Sequence, residues 1–181
     1  AIKLVVKNKK EPVTCIIGGS KISTKINVIT SIMKKVNNLI IVGAMANNFF
    51  VYKNLNIGKS LFEKDTKDII KNIYKKAKES GCKIFIPEDC VVGINFEGEG
   101  INKNFNDINN DEIILDIGKN TVKNIIKIID QSNTILWNGP AGYFENDNFL
   151  KGTLSIAENI SKNTIEKSLI SVIGGGDTLA A

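Results

Sequence analysis

The chain contains neither arginine nor histidine, so all 24 of its strongly basic residues are lysines. Without histidine there is no Ser-His-Asp triad, no imidazole metal ligand and no imidazole general base. Without arginine there is no bidentate guanidinium readout of base edges, and the aromatic residues are not interleaved with the lysines. The net charge of +5 therefore does not point to a nucleic-acid partner. Long apolar runs are also missing: none approaches the roughly 20 residues of a membrane helix, and none has the character of a secretory leader. Cysteine is scarce. Cys15, Cys82 and Cys90 are odd in number and lack C-x-x-C spacing, against a disulfide framework or zinc site and in favour of reduced thiols. A soluble, cytoplasmic protein is expected. The chemistry left by these exclusions has a nucleophile that already carries its charge, so that the protein mainly positions and neutralises; phosphoryl transfer is of that kind.

What is present is an alternation of short β-branched runs with longer amphipathic stretches. Runs at 13–17, 39–42, 83–86, 113–115, 134–137 and 169–173 read as strands. Between them the pattern predicts helices over 25–36, where Ile26, Ile29, Ile32, Met33 and Val36 recur at helical spacing, and over 46–53, 62–80, 121–129 and 150–161. Gly81 occupies the usual position just past a helix end. Residues 88–111, rich in Asn, Asp, Glu and Gly, break this rhythm with hairpin-like alternation from Val91 to Phe96. They are read as a peripheral excursion within a single domain spanning 1–181. The expected fold is α/β: a doubly wound, Rossmann-like parallel sheet with helices on both faces, a three-layer α/β/α sandwich.

Ligands of such sheets bind beyond the carboxyl ends of the strands. Those ends carry Gly18-Gly19-Ser20-Lys21, Gly43-Ala44-Met45, Pro87-Glu88-Asp89, Asp116-Ile117-Gly118, Asn138-Gly139-Pro140 and Gly174-Gly175-Gly176-Asp177-Thr178. In the last string, glycines would let backbone N–H groups approach a phosphate at a helix start, with Asp177 offered to magnesium and Thr178 to phosphate oxygens; Asp177 as a plain N-cap is the alternative. Lys21 and Lys25, four apart near a predicted helix start, oppose the helix dipole unless an anion binds there, or they are two solvated lysines of a lysine-rich chain. Trp137 reads as core. Neither G-x-x-x-x-G-K-[ST] nor G-x-G-x-x-G after the first strand occurs, against a P-loop enzyme and a dinucleotide oxidoreductase.

Taken in order, Gly18 to Lys25, Gly43 to Ala46, Ile57-Gly58-Lys59-Ser60-Leu61, Pro87-Glu88-Asp89, Asp116-Ile117-Gly118, Trp137 to Glu145, Phe149 to Thr153 and Gly174 to Thr178 closely resemble phosphoglycerate kinases. The resemblance implies the carboxy-terminal, nucleotide-binding domain of a glycolytic enzyme that moves a phosphoryl group between 1,3-bisphosphoglycerate and ADP with Mg2+. It implies Lys21 at the transferring phosphoryl and Lys25 on nucleotide phosphates. Gly19 and Ser20 would line the pocket; Gly43, Leu61, Leu115 and Pro140 would border adenine, with Glu145 on the ribose. Asn138 would reach phosphate oxygens, Asp177 would hold magnesium, and Gly175, Gly176 and Thr178 would form the helix-end phosphate site. The resemblance also implies an amino-terminal domain before Ala1 and a glycine-rich anion loop with closing helices after Ala181. Two positions depart from the pattern: Ala44 replaces a common glycine, and Thr24 an aspartate. The alternative is a nucleotide-binding fragment that performs no chemistry.

Overall fold

The computed structural model describes residues 9–181. Five strands form one parallel sheet: β1 (Val13–Ile17), β2 (Asn38–Ile41), β3 (Lys83–Phe85), β7 (Thr134–Asn138) and β8 (Ile170–Gly174), in the order β3-β2-β1-β7-β8. The chain builds outward from β1 through β2 to β3 and later returns to the other side of β1 with β7 and β8. The winding therefore reverses between β1 and β7, and beyond the carboxyl ends of strands at such a switch point doubly wound sheets bind their ligands.

Period-two alternation along the strands feeds two cores. Val13, Cys15, Ile17, Leu39 and Ile41 pack on one face against α1 (Ile26–Ile32), α2 (Ala46–Tyr52) and α3 (Lys67–Ser80). On the other face Ile16, Ile40, Ile135 and Trp137 meet Ile125 and Ile129 of α4 (Lys119–Asp130) and Ile156 and Ile160 of α5 (Lys151–Lys167). The result is the α/β/α sandwich that the alternation predicts. A short helix, α6 (Gly176–Ala180), follows β8. All three cysteines are buried and free, and burial pushes their thiols up to about 12, 11 and 12 for Cys15, Cys82 and Cys90. They are packing groups, not nucleophiles.

One predicted strand lies elsewhere. Residues 113–117 form β6 (Ile113–Ile117), which joins β4 (Asp89–Gly93) and β5 (Ile101–Asn104) in a separate antiparallel sheet ordered β5-β4-β6. A parallel neighbour needs a crossover of about a dozen residues, and only the short link through Pro87 separates β3 from β4. The start of α3 also differs from the pattern. The carbonyl of Leu61 accepts Asn47 Nδ2 at 2.8 Å, and the Glu63 N–H donates to Asn48 Oδ1 at 2.9 Å. With its backbone groups held by α2, this segment turns instead of winding, and the helix begins at Lys67.

Candidate functional site

Two backbone loops meet where β1 and β7 end. The Gly18 N–H donates to the Asn138 carbonyl at 2.8 Å. A Cβ on Gly139, whose φ is +98°, would lie 2.4 Å from the Gly18 carbonyl carbon, so only glycine permits this approach. Gly43, at the end of β2, has φ +68° and packs against Gly19, where a Cβ would stand 2.8 Å from the Gly19 nitrogen.

Lys25 precedes α1 and turns its side chain back into this crossing. Its Nζ donates to the Gly18 carbonyl at 2.9 Å and to Asn138 Oδ1 at 2.7 Å. Both acceptors are neutral. Desolvation by burial lowers the Lys25 pKa, while the charge of Asp177 works in the opposite direction. Next to this cation, Asn138 Nδ2 lies against Gly175, and Thr178 Oγ1 accepts the Gly139 N–H at 2.6 Å. The Thr178 side chain thus ties α6 to the β7 loop, which leaves its own proton to donate. Nothing stands near the position of a Cβ on Gly176.

A cavity of about 540 Å³ opens from this crossing toward the antiparallel sheet. Gly19, Ser20, Gly43, Leu61, Leu115, Pro140, Glu145 and Asp177 all line it, as does Ala44. Lys25, Asn138, Gly175, Gly176 and Thr178 form the adjoining cluster, and Lys21 is exposed on the loop leading from Ser20. The sequence assigns no site role to Asn47, Lys59, Phe96 or Tyr143, yet all four line the same cavity. Phe96 and Tyr143 meet edge to face at 5.0 Å, bringing the polar excursion over the cavity. Asn47 is 1% exposed, and its Oδ1 has no hydrogen-bond partner among the described residues.

Two strand-end carboxylates serve the scaffold. Asp89 accepts the Thr121 N–H at 2.8 Å, the Thr121 hydroxyl at 2.7 Å and the Asn120 N–H at 3.0 Å, capping α4. Burial would raise its pKa, but these bonds hold it below the usual carboxylate range. Asp116 borders the cavity and accepts the N–H groups of Ile117 at 2.8 Å and Gly152 at 2.7 Å, anchoring the start of α5. Here burial prevails and pushes the carboxyl up to about 7, against those two bonds.

An acid raised in the folded state is ionised first in the unfolded chain. Its contribution to stability is therefore largest below the unfolded value near pH 4 and falls as pH rises toward 7, by on the order of a few kcal/mol. Glu112 acts oppositely: its ion pair with Lys103 at 2.8 Å holds its pKa down, so its contribution is lost as pH falls. Urea midpoints should consequently decline between about pH 5 and 7. The Asp116→Asn protein should be flatter across that window; an unchanged slope would assign the decline to other groups.

The fold and this geometry define a doubly wound α/β protein with a ligand-sized cavity at its topological switch point. A family model, "Phosphoglycerate kinase", matches residues 1–181. The phosphoglycerate kinase of Wolbachia pipientis wMel is 43% identical over 181 residues, covering 99% of this chain and 46% of that protein. That of Zymomonas mobilis is 40% identical over 183 residues, with 100% and 46% covered. The phosphoglycerate kinase structure from Coxiella burnetii superposes with a TM-score of 0.92 at 36% identity, over 99% of this chain and 46% of that one. The chain belongs to the phosphoglycerate kinase family. It spans slightly less than half the length of these relatives. No helix among the described residues is long and apolar enough to cross a membrane.

Proposed function

We propose that this chain supplies the Mg-ADP/ATP site of a phosphoglycerate kinase, which transfers a phosphoryl group from 1,3-bisphosphoglycerate to ADP to give 3-phosphoglycerate and ATP. The observation that carries this reading is the Lys25 ammonium, fixed at the switch point by two neutral acceptors beside a cavity of about 540 Å³. A cation so held keeps its charge for an anion, and the neighbouring wall of Leu61, Leu115 and Pro140 suits a flat apolar base. In this reading Gly19, Ser20 and Gly43 let the nucleotide lie close to the backbone. Asn138, Gly175, Gly176 and Thr178 receive phosphate oxygens beside Lys25.

Among the described residues no group of three or more Asp, Glu, Cys or His side chains could hold a metal ion. A magnesium ion here would instead be shared between Asp177 and nucleotide phosphates, a common arrangement for Mg2+. Asp177 lines the cavity and is exposed, which fits that part. The ion, when bound, would neutralise phosphate charge. The attacking oxygen of ADP is already anionic, so the absence of histidine is no obstacle. Lys21 meets the transferring phosphoryl and stabilises its charge. The partner in the reaction is the amino-terminal domain of the same enzyme, which holds the phosphoglycerate.

Glu145 tests the ribose assignment. Glu145→Ala should weaken Mg-ADP binding by about 1.5–3 kcal/mol, the range for hydrogen bonds to a charged group, and leave inorganic phosphate binding almost unchanged. Calorimetric titration of both ligands measures the difference. Equal losses would make Glu145 a support of the fold.

A further inference from the structure

Glu63 lies between α2 and α3 and reaches across to the loop that follows β1. Its Oε2 accepts the Ser23 N–H at 3.0 Å, and its Oε1 accepts the Ser23 hydroxyl at 2.5 Å. The other end of this link is firm. The Glu63 N–H donates to Oδ1 of Asn48, a residue of α2 that is 1% exposed, and the Thr66 hydroxyl lies 3.3 Å from the same oxygen. The buried end of α2 is thereby coupled through Glu63 to a residue two positions after Lys21. The loop itself is tight: the Thr24 hydroxyl donates to the Lys21 carbonyl at 2.9 Å, and the Lys25 N–H to the Ile22 carbonyl at 3.0 Å.

On the other side of Lys21 the chain passes through Gly19 at φ +123°, whose carbonyl accepts the Met45 N–H at 2.8 Å. The grip on Ser23 therefore holds the loop on the side of Lys21 away from Gly19. Burial would raise the Glu63 pKa, yet the Ser23 bonds, aided by the Lys21 charge, hold it below its ordinary value. A carboxylate close to a polyanion site carries an electrostatic cost, and the two-point hold on Ser23 is what this one provides in return. We propose that Glu63 is a positioning residue: by gripping Ser23 it sets the loop that carries Lys21, so that the ammonium meets the transferring phosphoryl. This rests on the reading of Lys21 given above.

The test is steady-state kinetics of the full-length enzyme with Glu63→Ala, Glu63→Gln, Ser23→Ala and, in parallel, Lys21→Ala, with the Kd of Mg-ADP from calorimetry as the folding control. Glu63→Ala should lower kcat by about 10- to 100-fold, the scale of a small misplacement of a reacting group, with KM for nucleotide changed less than about threefold. Glu63→Gln should recover most of the loss, because its amide oxygen accepts the Ser23 N–H and its NH2 donates to the hydroxyl. Ser23→Ala, which keeps the backbone bond, should fall between. The proposal is overturned if Glu63→Ala keeps wild-type kcat while Lys21→Ala is inactive, if only KM rises, or if Gln is as damaging as Ala. Wild-type kcat in Lys21→Ala would instead remove the underlying reading of Lys21.

Discussion

Lys21→Ala in the full-length enzyme should lower kcat by a factor of about 10² to 10³ or more, the scale for losing one preorganised stabiliser of transition-state charge. The Kd for Mg-ADP should move little. The two lysines are held differently. Lys25 is half-buried, and its Nζ is fixed by Gly18 and Asn138, an arrangement suited to ground-state binding. Lys21 is exposed on the loop between the cavity residue Ser20 and the Ser23 grip, where it would complete its contacts only when the other substrate arrives. An interaction made chiefly in the transition state affects kcat, and one made equally in the ground state affects KM. A Lys21→Ala enzyme with unchanged kcat and weakened ADP binding would exchange the two roles.

Residues 1–181 alone should give no measurable ATP formation, even with Mg-ADP bound. In-line positioning of the acyl phosphate accounts for roughly 7–11 kcal/mol of such a barrier, and in the proposed reading that task falls to the amino-terminal domain that holds the phosphoglycerate. Exclusion of water by closure also requires a second body to close against. Adding an amino-terminal half together with the remaining carboxy-terminal segment should restore turnover. A coupled assay measures it, with Lys21→Ala protein as the contamination control. Robust turnover in the chain alone, lost in that variant, would show that fewer groups suffice for the chemistry.

The strand-helix alternation was readable because short β-branched runs such as Val13–Ile17 differ in length and pattern from the helical spacing of Ile69, Ile70, Ile73 and Ala77. The place of β6 was not. Ile113–Ile117 has the same apolar look whether it pairs in parallel in the main sheet or antiparallel with β4, and its partner strand lies about 20 residues upstream. The strand-end loops were legible as a group, and the structure gathers most of their glycines and lysines at one crossing. The roles of individual carboxylates were not. Asp89, Asp116 and Asp177 occupy similar positions in the sequence, yet the first two are buried and accept backbone N–H groups at helix starts while the third is exposed at the cavity. The place of Phe96 at the cavity was not legible because its partner Tyr143 is remote in sequence and has no periodic relation to it.

Adenine nucleotide should bind in the cavity at the carboxyl edge of the sheet, and calorimetric titration of the chain with Mg-ADP measures whether it does. Single-site, saturable binding that weakens in both Lys25→Ala and Glu145→Ala is the predicted result. Absence of saturable binding at millimolar Mg-ADP, in protein whose circular dichroism shows it folded, would mean that this cavity is not a nucleotide site.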